Sequence, residues 1–363
     1  MTTCFSCFRV PCIPILAVLL FLFSCSENDP VSPEVSSGQD GYFIVNEGGF
    51  GSANTSLSYY DRNNDTILNN VFETANGRPL GDQTQSMTVV GDRGLVVVQN
   101  SAKVEVIDGD DFTAIATITE GIVSPRYLVA VDDTKAYLTD WGADGITGTV
   151  KVIDLATYEV TRTIPVGQGP NKLLLVGSLA YVANGGGAGR DSTVMVLDTR
   201  TDAVVDTIVV GDNPSSLALS ADNDIWVAGG GYIRYDPDDF SVIEEESTPG
   251  FMAQLSNGTV SNKLEASQIG IGPSDITTNA RQTDLYFRYA GAVYTMPTSA
   301  TELPGQPLIN QSAYGLAIDP VSGELLVGEA PNFSSDGTFY RYTPTGELIK
   351  SYTVGIAPNG FAF

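Results

Sequence analysis

The chain contains no histidine, and its four cysteines, Cys4, Cys7, Cys12 and Cys25, all lie near the N-terminus. Without imidazole, a His-assisted serine or cysteine nucleophile and a histidine-ligated metal are excluded. Basic residues are also scarce, 18 Lys and Arg against 43 Asp and Glu, for a formal net charge of -25. A surface this acidic repels phosphate backbones, which argues against a nucleic-acid partner. No Gly-rich phosphate loop or nucleotide fingerprint follows any strand pattern. Long apolar runs are missing too: the longest, Val10 to Phe23, is too short to span a bilayer.

That run, preceded by Arg9, has the make-up of a signal peptide covering residues 1–24. Leu22-Phe23-Ser24-Cys25 resembles the lipobox of bacterial lipoproteins, which implies lipidation at Cys25 and a membrane anchor. Cleavage there removes the other three cysteines, so no disulfide is expected in the mature chain. Residues 25–40, rich in Ser, Pro, Glu and Asp, cannot bury a core and are expected to form a disordered tether. Ser26-Glu27-Asn28-Asp29 resembles the acidic export tag of Bacteroidetes surface lipoproteins, implying an outer-membrane, cell-surface location.

Abundant features begin with the 38 glycines and many short β-branched runs. Between Pro125 and Pro214 the chain repeats itself. Ala136-Tyr137-Leu138-Thr139-Asp140, Val150-Lys151-Val152-Ile153-Asp154 and Thr163-Ile164-Pro165-Val166-Gly167 are answered by Ala180-Tyr181-Val182-Ala183-Asn184, Val194-Met195-Val196-Leu197-Asp198 and Thr207-Ile208-Val209-Val210-Gly211. Each copy holds four short strands separated by turn residues, which is one propeller blade. Aligning third strands gives seven: Leu57 to Asp61, Val104 to Asp108, Val150 to Asp154, Val194 to Asp198, Tyr232 to Asp236, Val293 to Pro297 and Phe339 to Thr343.

The expected fold is therefore all-β, a seven-bladed β-propeller of four-stranded antiparallel blades over residues 41–363. A large insertion is expected over residues 246–272. Blade one has only three strand signals, Tyr42 to Asn46, Leu57 to Tyr60 and Thr66 to Phe72. The segment Ala357 to Phe363 is expected to supply its innermost strand and close the ring. The aspartates ending third strands, such as Asp61 and Asp154, are read as caps of local turns. Asp61 to Asp65 lacks the glycine and glutamate that a calcium loop requires, and Trp226 is read as core.

In such blades the loops joining strands two and three emerge on the same side as the connections between blades. That face carries the candidate ligand-binding residues Phe50, Asn54, Asn100, Tyr127, Trp141, Asn184, Arg190, Arg288, Tyr289, Tyr314, Asn332 and Phe333. Amides and aromatics over a rigid rim suit a polar, flat small molecule. Carboxylates and amides near the axis, Asp275, Asn279 and Asn171, leave open a calcium-dependent lactonase-type hydrolase. An adhesin or scaffold binding protein or glycan is the other alternative.

The units Ala-Tyr-Val-Ala-Asn, Val-x-Val-Leu-Asp-Thr and Thr-Ile-x-Val-Gly-x-x-Pro resemble those of YVTN or YncE-type propellers. The opening Tyr42 to Gly48, with Ser56 to Asp61, Leu80-Gly81-Asp82 and Asn100 to Val106, is similar to BtuG-type surface lipoproteins. That resemblance implies a non-enzymatic protein with no cofactor of its own. It would capture cobalamin or a related corrinoid for a TonB-dependent outer-membrane transporter.

Overall fold

The computed structural model describes residue 1 and residues 40–363. The proposed signal peptide after Met1, Cys25 and all but the last residue of the tether lie outside the described residues. From Gly41 onward the short strands assemble into seven separate sheets, six of four strands and one of three, arranged as a seven-bladed propeller.

The sheets stack because each is apolar on both faces. In the strand Gly41–Asn46, Tyr42 and Ile44 turn towards the last blade while Phe43 and Val45 turn towards the second. The same alternation around the ring yields seven buried clusters, one between each pair of neighbouring blades. Strands sandwiched in this way read as continuous apolar runs. Trp226, in Ile225–Gly229, is fully buried.

Closure follows the expected route. The C-terminal strand Pro358–Ala362 pairs antiparallel with Gly41–Asn46, Phe43 facing Ala362 and Val45 facing Gly360. Blade one is thus completed from both ends of the domain. A polar seam reinforces the join: Asp65 of blade one receives Arg341 at 2.8 Å and Lys350 at 2.6 Å from blade seven.

Three expectations need correction. Tyr232 to Asp236 is not the third strand of blade five; Phe251–Ser256 takes that place, followed by Thr259–Glu265 as the outer strand. The insertion is accordingly residues 230–250, between strands two and three, and not 246–272. Tyr232 to Asp236 imitates a third strand because Asp236 Oδ1 accepts the Asp238 amide at 2.8 Å, the turn made by Asp61, Asp108, Asp154 and Asp198. It bridges only within its own excursion, Tyr232 to Thr248 and Tyr235 to Val242. Second, the outer strand of blade one stops at Leu68, and Val71–Asn76 is a short helix that buries Val71 and Phe72. Third, blade six keeps only three strands, its fourth reduced to a single bridge between Val293 and Ile309.

Candidate ligand-binding site

The innermost strands set the site. Six of the seven begin with a register shift against their neighbour, between Thr84 and Ser86, Pro125 and Leu128, Pro170 and Leu173, Pro214 and Ser216, Ser274 and Thr277, and around Pro358. A bulge leaves its extra residue out of the ladder and re-aims the side chain. The released residues include Gln85, Arg126, Asn171, Ser215, Asp275 and Asn359, and all of them line one cavity of about 430 Å3 at the centre of the ring. Asp275 reaches it from a left-handed backbone conformation, φ 48°, that an Asp side chain tolerates.

Polar contacts run around much of this cavity. Lys172 Nζ donates to Asp275 Oδ1 at 2.6 Å, and Arg288 Nε donates to Asp275 Oδ2 at 2.7 Å. Lys172 also stands 5.7 Å above the ring of Tyr127, whose hydroxyl accepts Gln85 Nε2 at 3.1 Å. On the other side Arg288 lies 5.9 Å over Tyr314, and the Tyr314 hydroxyl donates to Glu47. Gln83 Nε2 donates to the second Glu47 oxygen at 3.3 Å. Arg126 donates to Gln99 Oε1 and lies 4.0 Å over the indole of Trp141.

These contacts set the charges. Burial alone pushes Asp275 up, but Arg288 and Lys172 more than offset it and hold its carboxyl well below the usual range. Burial raises Glu47, against the Tyr314 hydrogen bond and the Arg126 charge. Burial also lowers Arg126. With both its oxygens taken by cations, Asp275 is not free to ligate calcium. Asn279 is spent in the turn after its strand, donating to Asp284 at 2.7 Å. Among the described residues no group of three or more Asp, Glu, Cys or His is placed to hold a metal ion.

The family model described as Domain of unknown function (DUF5074) matches residues 40–359. The chain belongs to the DUF5074 family. No curated protein matches it. Among solved structures, similar folds occur in a quinonprotein alcohol dehydrogenase-like protein from Bacteroides thetaiotaomicron, at 14% identity over 90% of this chain and 78% of that one, TM-score 0.65. A functionally unknown protein from Desulfotomaculum acetoxidans is similar at 15% identity, over 88% and 97% of the two chains, TM-score 0.62. Hydrazine synthase of Kuenenia stuttgartiensis is similar at 15% identity, over 77% and 89%, TM-score 0.58. At such identities the likeness is one of fold.

In this DUF5074 propeller the residues expected to bind ligand divide into three groups. Phe50, Tyr127, Arg288 and Tyr314 line the axial cavity. Phe333 and Trp141 stand one layer away: Phe333 meets Tyr314 edge-on at 4.9 Å, and Trp141, which supports Arg126, donates from Nε1 to the Pro170 carbonyl at 3.0 Å. The rest lie elsewhere. Asn54 accepts the Gly49 amide and so shapes the Phe50 loop; Asn100 donates to Asp82; Asn332 accepts the Ser334 and Ser335 amides. Asn184 is fully buried and donates to Thr193 at 2.9 Å. Tyr289 packs on Phe287 and Tyr294. Arg190, paired with Asp212 and 4.2 Å over Tyr232, belongs to a separate concavity of about 410 Å3 beside the 230–250 excursion.

Glu47 lines the cavity from the same loop as Phe50, and Gln83, Gln85, Ser215 and Ser274 also line it and were not expected there. A usable signal exists for part of the set. The residue after the proline that opens an inner strand is polar in every such repeat: Arg126, Asn171, Ser215, Ser274 and Asn359.

Proposed function

We propose that this chain is a non-enzymatic receptor. It is anchored through Cys25 to the outer surface of a bacterial outer membrane and captures a corrinoid for a TonB-dependent transporter. The observation that carries the reading is the rigid axial cavity, lined by amides and guanidinium groups, with the half-exposed Phe333 and the exposed Phe50 at its mouth. A corrinoid is broad, stiff and edged with amide side chains, so it matches such a surface without large ordering costs. It is also larger than the cavity. It therefore lies across the mouth, with its peripheral groups reaching the polar lining and its flat faces against the aromatic rim. Catalysis is a poorer fit, because the cavity carboxylates are engaged, Asp275 by two cations and Glu47 by Tyr314, and the chain has no histidine.

Purified protein mixed with cobalamin or cobinamide and passed through a desalting column is expected to keep the ligand's red colour. Trp141→Ala, which removes the plane that holds Arg126, should weaken retention by about tenfold or more. Tyr289→Ala, whose ring packs away from the cavity, should change affinity less than about twofold. Colour eluting only with the salt would reject the corrinoid. In cells, Cys25→Ala should move the protein out of the membrane fraction; a variant that still fractionates with membranes would reject the lipid anchor.

A further inference from the structure

We propose that the axial cavity is an oxyanion site, in which Arg126 binds the carboxylate or phosphate group of a small polar ligand. This rests on the reading of the cavity as a binding site, but not on the ligand being a corrinoid.

Charge is the first argument. Two cations line the cavity, Arg126 and Arg288, and Lys172 pairs with the lining Asp275; against the two carboxylates Asp275 and Glu47 this group carries a formal excess of one positive charge in a chain of net charge -25. Both Lys172 and Arg288 are committed to the same carboxylate. Arg126 has no carboxylate within ion-pairing distance among the described residues. Its one side-chain acceptor is the neutral Gln99 oxygen, and its buried Nε has no hydrogen-bond partner in the protein. A guanidinium partly withdrawn from water, whose nearest carboxylate, Glu47, acts on it without a direct ion pair, is costly, and an incoming anion offsets that cost.

Geometry is the second. Trp141, 4.0 Å from the guanidinium, supports it from one side, and with Nη1 donating to Gln99 and Nε buried, Nη2 is the nitrogen left to donate to a carboxylate or phosphate. Asn171 and Asn359 stand beside it in the lining, Asn359 with its Nδ2 used on the Thr84 carbonyl at 3.0 Å. A cavity of about 430 Å3 holds a small carboxylate or phosphate entire, or the anionic arm of a larger molecule.

Calorimetric titration of the full chain with inorganic phosphate, with succinate and with the uncharged succinamide, in a chloride buffer of low ionic strength, tests this. One anion per chain is expected from phosphate, succinate or both, and no heat from succinamide. Binding of phosphate alone identifies a phosphoryl site and of succinate alone a carboxylate site. Arg126→Gln should weaken binding by about tenfold or more, whereas Arg200→Gln, on an exposed turn, should not change it. Asp275→Asn, which raises the positive excess, should tighten binding by about threefold or more. This variant carries the test if Arg126→Gln fails to fold.

Heat no greater than chloride dilution from either anion, equal affinity in folded Arg126→Gln, or unchanged or weaker binding in Asp275→Asn would overturn the proposal. Cobalamin titrated into the same protein separates the two readings. An anion that binds where cobalamin does not would discard the corrinoid and keep the site. Cobalamin binding with neither anion would do the reverse.

Discussion

Removal of residues 357–363 is expected to leave a chain with no cooperative unfolding transition. The lost segment includes the innermost strand of blade one, with Ala357, Pro358 and Ala362 buried, and Phe361 and Phe363 packed on the cluster between blades seven and one. Its deletion opens the ring at Gly41–Asn46 and at the contacts with the inner strands of blades two and seven. Each large apolar side chain withdrawn from a core costs about 1.5 to 3 kcal/mol. A sheet edge newly exposed costs ladder hydrogen bonds as well. Together these reach the roughly 5 to 15 kcal/mol by which whole domains are stable. Thermal unfolding followed by circular dichroism checks the point. A melting temperature equal to that of the full chain would show that the ring does not depend on this strand.

A second large effect is expected at Glu105, a carboxylate that is wholly buried in the third strand of blade two. Arg78 reaches it at 2.5 Å, Lys103 at 2.6 Å and the Thr117 hydroxyl at 3.0 Å. Burial alone raises its pKa, yet the hydrogen bonds from Arg78 and Lys103 outweigh burial and hold it below 4.5. A depressed carboxyl pKa contributes stability that is present above the unfolded value and is lost as pH falls through the folded one. Removing both cations by Arg78→Met with Lys103→Met reverses the sign, because burial then acts unopposed. The double variant should lose about 3 to 5 kcal/mol at neutral pH, less near pH 5, and should regain most of it when Glu105→Leu is added. Urea midpoints at the two pH values read this out; coincident midpoints for wild type and double variant at neutral pH would contradict it.

Much of the fold was legible because propeller strands are local in sequence. Apolar runs such as Val194 to Leu197 sit between turn residues, and the duplicated Pro to Gly spacing marks one blade after another. The failure at Tyr232 to Asp236 has a local cause: an alternating run ended by a turn-capping Asp satisfies the same short-range rule inside an excursion as inside a blade. Only the apolar demand of both neighbouring sheets singles out Phe251 to Leu255.

The site was less legible. An Asn in a loop can face a ligand or cap its own turn, and Asn54 and Asn332 do the latter. The cavity residues come instead from bulges at the start of the inner strands, where the displaced side chain is polar. A bulge is a property of pairing between strands. Composition along one strand does not reveal it, although the recurring polar residue after proline, from Arg126 to Asn359, was its trace.

The proposed capture of a corrinoid at the axial face of this DUF5074 propeller is checked by titration calorimetry of cobalamin into the purified chain. Saturable heat with one site per chain is expected, sharply weakened by Trp141→Ala and little changed by Tyr289→Ala. No heat at micromolar protein, or binding that Trp141→Ala leaves as strong as wild type, would contradict it.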